Sequence, residues 1–223
     1  DGVLETDNLT IGGAQGSDGQ VLTSTGSGVG WEDAGSGSSV TFKEGGTNFT
    51  NSLMIGDDAT GTLDNANQNT GVGVDVFSAL TSADECTVMG YRSGQSITTS
   101  CCNTFYGHNS GKATTTGAAN VAVGQGALAT NVSGANNTAV GLQALLTSTA
   151  SNNTAVGKDS GRRVTTGANN TLLGFDTAVL LTSGNYNTAL GTNALYALTT
   201  ADNNTAVGMN ALVANTTGTE NTA

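Results

Sequence analysis

The chain has 223 residues, 33 of them Gly and none Pro, with 4% aromatic and 10% charged side chains, so few large groups exist to fill a thick core. Lys and Arg number 6 against 17 Asp and Glu, a formal net charge of -11 that leaves no basic stripe for a phosphate backbone and excludes nucleic acid as a partner. No apolar run approaches the ~18 residues needed to span a bilayer, and the first residues lack the basic, apolar and cleavage segments of a signal peptide, so membrane insertion is not expected.

Residues 1–50 form a Gly- and Ser-rich neck or linker with short β-prone runs: Val3-Leu4-Glu5-Thr6, Leu9-Thr10-Ile11, Gln20-Val21-Leu22-Thr23 and Val40-Thr41-Phe42. Gly12-Gly13, Ser17-Asp18-Gly19 and Gly26-Ser27-Gly28 punctuate them as turns. Trp31, the only Trp, reads as a packing anchor.

Residues 51–223 carry a repeat that stops mid-phrase at Asn221-Thr222-Ala223, as expected of a piece of something longer. Its phase is set by Gly56, Gly73, Gly90, Gly107, Gly124, Gly141, Gly157, Gly174, Gly191 and Gly208, spaced by 17 residues except for one interval of 16 between Gly141 and Gly157. A fixed short period predicts a solenoid of about 17-residue coils, with the glycines permitting the bend in each.

Four residues before the Gly stands Asn103, Asn120, Asn137, Asn153, Asn170, Asn187 or Asn204, and also Asn69 and Asn221. Stacking places these amides in a ladder about 4.8 Å apart. Thr follows and opens a strand, as at Thr104, Thr138 and Thr154. Ala then precedes Val123, Val140, Val156, Leu190 and Val207, and Leu172 precedes Leu173; these residues just before the Gly are expected to be buried strand positions. Alternation sends the Ala/Gly face and the Thr/Val face opposite ways, and neither is charged. Both are therefore expected to be covered, one by the coil and the other by identical chains. Three and four residues past the Gly lies Ala127-Leu128, Ala144-Leu145, Ala194-Leu195 or Ala211-Leu212, replaced elsewhere by Ser93-Gly94, Ser110-Gly111 and Ser160-Gly161. Either a second strand or one helical turn fits this piece.

Two resemblances follow. DGQVLTSTGSGVGWED, from Asp18 to Asp33, resembles a segment of bacteriophage tail-fibre proteins, which implies a strand and a Trp-bearing strand in a trimeric stalk. N-T-A-V-G-x-x-A-L with a Thr-Thr-Gly turn resembles tail-fibre repeats and, more distantly, the heads of trimeric autotransporter adhesins, whose N-S-V-A-I-G motif implies a parallel β-roll in a three-chain bundle. Here the period is longer, and Thr stands where the adhesin motif has its first inward Val.

Chemistry has few candidates. Cys86 and Cys102 fall on neighbouring rungs, so a disulfide between them and free thiols beside Cys101 are both open. His108 lacks a nucleophile and a supporting acid, and zinc lacks four spaced ligands. Asp57-Asp58 and Asp84-Glu85 read as solvated turns, and Lys158, Arg162 and Arg163 as a solvated ridge. Neither cofactor nor catalysis is expected. The N-x-S/T triplets matter only in a eukaryotic secretory setting.

The sequence thus points to an all-β protein: a short β-rich neck, then a trimeric parallel β-solenoid or β-roll. Its expected role is the shaft of a virion tail fibre, partnered by other tail proteins and by a host cell-surface glycan or protein. The alternatives are a bacterial trimeric surface adhesin or extracellular filament and, third, an ice- or polysaccharide-binding solenoid using Thr98, Thr115, Thr165, Thr182 and Thr199.

Overall fold

The computed structural model describes residues 48–56 and 60–223 with their side chains, and before them the backbone of strands β1 to β5. The chain divides into two compact units, Asp1–Thr41 and Phe42–Ala223. In the first, β1 (Thr10–Ile11) pairs antiparallel with β2 (Ala14–Gln15), and β3 (Gln20–Ser24) pairs antiparallel with β4 (Val29–Asp33), setting Leu22 opposite Trp31. The expected run at Val3 to Thr6 lies outside the described residues.

The second unit is a β-solenoid built on an 11-stranded sheet in chain order. After β5 (Thr41–Glu44) come β6 (Leu53–Gly56), β7 (Thr70–Gly73), β8 (Thr87–Met89), β9 (Thr104–Tyr106) and β10 (Val121–Val123). Then follow β11 (Thr138–Val140), β12 (Thr154–Val156), β13 (Thr171–Leu173), β14 (Thr188–Leu190) and β15 (Thr205–Val207). From β6 onward every neighbouring pair is parallel and in register, with Thr on Thr except where Leu53 opens β6 and Val121 opens β10, and the residue before the Gly on its counterpart, as in Thr138↔Thr154 and Val140↔Val156. Each coil gives one short strand, and its backbone bonds to both neighbours: the Thr104 N–H donates forward to Asn120 O (2.9 Å) and the Gly107 N–H back to Met89 O (2.8 Å). Extended, β-branched Thr and Val suit this ladder.

The glycine at the strand's end is required twice over. At Gly191 the backbone stands at φ 132°, and a Cβ would sit 2.5 Å from Gly208 O in the next coil. Only Gly adopts that dihedral readily, and only Gly lets the stacked backbones approach so closely.

From Asn103 onward the amide ladder is unbroken. Asn120 Nδ2 donates to Asn103 Oδ1 (3.2 Å) and to Gly134 O (2.9 Å), and its Oδ1 accepts from the Asn137 backbone N–H (2.9 Å) and Nδ2 (3.1 Å). All four hydrogen-bonding positions of a buried amide are thus used, which removes the desolvation cost of burying it. Bonds of this type link Asn103, Asn120, Asn137, Asn153, Asn170, Asn187, Asn204 and Asn221. Asp would lack the donors, and Gln would overreach the spacing.

The segment after the Gly is neither a second strand nor a helical turn. Its N–H groups bond three residues back, from Ala127 to Gly124 O and from Asn131 to Leu128 O (both 3.3 Å), giving successive tight turns. The second and fourth residues past the Gly are left-handed, as Gln143 (φ 57°) and Leu145 (φ 49°), and the alternation of hand leaves other N–H groups free to bond adjacent coils, as Leu128 does to Ala144 O (3.0 Å).

The core is one contiguous cluster along the solenoid. Its volume is shared between the middle residue of each strand and the fourth residue past the Gly. Ala122, Ala139, Ala189 and Ala206 face Leu128, Leu145, Leu195 and Leu212, whereas Val88 and Phe105 accompany Gly94 and Gly111. A Cβ on Gly111 would enter the Phe105 ring, and one on Gly94 would lie 3.1 Å from Val88 Cγ1. Close packing permits one large partner per coil.

Candidate interaction surface

Alternation along a three-residue strand leaves only the middle residue inside. Ala122, Ala139, Ala155, Leu172, Ala189 and Ala206 are fully buried, and the residues on either side of each point outward. Which face the coil itself covers follows from this. Val123, Val140, Val156, Leu173, Leu190 and Val207, read as buried strand, lie on the outer face of the chain, half-buried or exposed, because a strand has one inner face and the Ala position holds it.

The outer face therefore carries a Thr column and, two residues on, an apolar column that runs the length of the solenoid: Ile55, Val72, Met89, Tyr106, Val123, Val140, Val156, Leu173, Leu190 and Val207. Leu190 is 46% and Val207 57% exposed, although both are side chains that gain by leaving water. A third column begins just past the bend with Val74, Tyr91, Leu142, Phe175 and Met209, the last 75% exposed. Only His108 and Lys158 interrupt it with ionisable nitrogen. Most of the exposed large apolar side chains thus fall on these repeating columns, with Val132, Tyr186, Tyr196 and Val213 apart from them.

No family model, curated protein or solved structure matches this chain.

The other residues singled out by sequence take the following places. His108 is exposed and stacks on Tyr91 one coil earlier, with centroids 5.6 Å apart and planes at 11°. Arg92 lies over the same Tyr91 ring at 4.9 Å and pairs with Asp75 at 2.9 Å, a hydrogen bond that raises the guanidinium pKa above its ordinary value. Lys158 and Arg162 both approach Asp159, at 3.3 and 3.8 Å, and Lys158 caps Phe175 at 5.1 Å. Asp84 Oδ1 accepts the Asn67 N–H at 2.6 Å and so ties two corners together, while Asp57 and Asp58 lie outside the described residues. Among the described residues no three His, Cys, Asp or Glu side chains converge to hold a metal ion, and no helix is long and apolar enough to cross a membrane.

The cysteines are free, and the Cys86–Cys102 bridge is not formed. Although these residues sit on adjacent rungs, their positions in the coil are adjacent and point opposite ways. Cys86 occupies the inward Asn site, its thiol donating to Asp84 O (3.4 Å) and Ser100 O (3.7 Å), and burial pushes it up to about 11. Cys102 takes the left-handed position before that site (φ 63°) and is exposed.

The Thr column eight residues past the Gly is also a ladder: Thr98 Oγ1 donates to Thr115 O (3.1 Å) and Thr182 Oγ1 to Thr199 O (3.0 Å). Their hydroxyl protons are thereby committed within the protein.

Sequence reasoning missed two features. The column past the bend was visible as apolar residues following phased glycines. The left-handed positions had a partial signal, since the residue before the ladder Asn is itself Asn at Asn136, Asn152, Asn169 and Asn203, a residue that tolerates this conformation.

Proposed function

We propose that this chain is a segment of a fibre shaft, a homotrimer whose solenoids associate through the outer apolar columns, and that the shaft belongs to a viral tail fibre projecting a receptor-binding end toward a host-surface glycan or protein. The observation that carries the reading is the apolar column from Ile55 to Val207, a continuous, uncharged line on a sheet face that the described residues leave half-buried or exposed. In-register stacking supports it further, because a partner of the same repeat meets the same spacing at every coil. The Asn ladder and the sheet give such a shaft its stiffness; other tail proteins would hold its base.

Multi-angle light scattering tests the assembly: three times the 22.0 kDa chain mass is expected. Val140→Lys with Leu190→Lys places a cation at two levels of the column and is expected to release monomers that keep the circular dichroism of the folded coil. A native protein that scatters as a single chain ends the reading. Gold-labelled antibody on virions and on bacterial surfaces separates the viral fibre from the adhesin alternative.

A further inference from the structure

We propose that Cys101 and Cys102 are a redox-active vicinal pair, a modification site that closes to an intrachain disulfide with a small-molecule disulfide as oxidant. Their sulfurs lie 2.6 Å apart, inside van der Waals contact, and both residues are exposed. No other coil has two sulfurs at this corner; its counterparts include Ala118-Ala119, Ala135-Asn136 and Ser151-Asn152.

The backbone holds the pair in place before any reaction. The Cys102 N–H bonds to Asp84 O (3.1 Å) in the preceding coil, and Cys101 O accepts from Ala119 N–H (3.1 Å) in the following one. Both thiols are fixed on one corner, so the second step of an exchange is intramolecular and does not wait for a second encounter. Cys86 is outside this chemistry: its sulfur is buried and engaged with two carbonyls on the inner side.

The two thiols differ in role. Their surroundings differ: Cys102 faces the carboxylate of Glu85, and Cys101 takes the part of the attacking sulfur. Cys102 is pushed up to about 12, first by its close neighbour Cys101, and Glu85 Oε2 stands 3.7 Å from its sulfur as an acceptor. Cys101 as thiolate attacks a sulfur of the small disulfide, forming a mixed disulfide and expelling one small thiolate. Cys102 then loses its proton and attacks Cys101 Sγ, forming the Cys101–Cys102 bond and expelling the second. The pair gives up two electrons, and its two protons pass to the two released thiols. Asp84 and Glu85 are the acidic groups of the preceding coil at this corner, and Ala118-Ala119 in the following coil add no charge.

The test treats the folded chain with oxidised glutathione at pH 8, then denatures it, counts thiols and maps tryptic peptides by mass. The expected result is a fall from three thiols to one, a mass two hydrogens lower in the peptide Ser93–Lys112, and no change in Glu44–Arg92, which holds Cys86. Cys86→Ser is expected to leave that two-thiol loss intact, and Cys102→Ser to stop at a glutathione adduct on Cys101. Retention of all three thiols, a bridge that needs Cys86, or cross-linked chains on a non-reducing gel would each overturn the assignment.

Discussion

The coils up to Phe105 and those from Ala122 onward obey the same repeat with different strictness. In the earlier coils the interior is crowded with Phe49, Met54, Phe77, Val88, Ile97 and Phe105, and the amide ladder begins on Ser52 and is broken by Cys86. In the later coils the middle strand residue is Ala, Leu172 apart, and faces Leu except at Gly161 and Ala178, and the ladder is unbroken from Asn103 to Asn221. The contrast shows what the fold tolerates. Core volume is exchangeable between two facing positions, but the bend glycine is not, and the ladder admits a substitute only where neighbouring groups take up its bonds.

The sharpest way to break this comparison is at the bend. Gly191→Ala combines a dihedral only Gly adopts readily with a clash against Gly208 O, and is expected to cost about 5 kcal/mol. Gly208→Ala shares the dihedral (φ 128°) but meets nothing within 4 Å, so it should cost about 1–3 kcal/mol. Urea unfolding of the two variants separates stacking from strain, and equal losses would refute the stacking argument.

Next comes volume exchange. Phe105→Ala empties the strand-side core position of its coil and is expected to cost about 3–5 kcal/mol. Adding Gly111→Leu recreates the Ala122/Leu128 arrangement and should recover more than half of that loss, although Leu must then adopt φ near 55°. Failure to recover would show that the facing positions are not a shared volume.

The ladder gives the smaller effects. Asn153→Ala strands Gly167 O and the Asn170 backbone N–H and removes one of the two acceptors of Asn170 Nδ2, and is expected to cost about 2–3 kcal/mol. Cys86→Asn runs the other way, joining Asn69 to Asn103, with an expected gain of about 1 kcal/mol. It also changes the alkaline limb. Burial raises the Cys86 thiol from 9.0 to about 11, so the folded state holds that proton more tightly than the unfolded chain. The corresponding stability is whole below pH 9.0 and is lost as pH climbs toward about 11, and the Asn variant should lack this decline in a pH series of melting temperatures.

Much of the architecture was readable because two residue types leave a phase: Gly where the backbone turns, and Asn where an amide stacks on its like. The faces were not readable, since Ala139 and Val140 are both apolar and the distinction between inside and outside lies in the alternation of a three-residue strand. The post-Gly turns escaped for a different reason. Leu145 and Leu195 sit at φ 49° and 53°, a conformation no Leu advertises, and they are held there by neighbouring coils. On the surface, paired cysteines on adjacent rungs suggested a bridge, but rung adjacency says nothing of the side on which each sulfur lies.

The coil of 16 residues between Gly141 and Gly157 lacks a counterpart of Thr166, yet β11 and β12 remain in register and Asn137 Nδ2 still finds Ala150 O at 2.8 Å. The deletion is absorbed between Thr149 and Ala150, outside the sheet and the amide ladder. That corner is consequently an editable seam: a place where extra chain can be spliced in to display a loop or an epitope at a chosen height on the rod, with a closure cost that grows only slowly with its length.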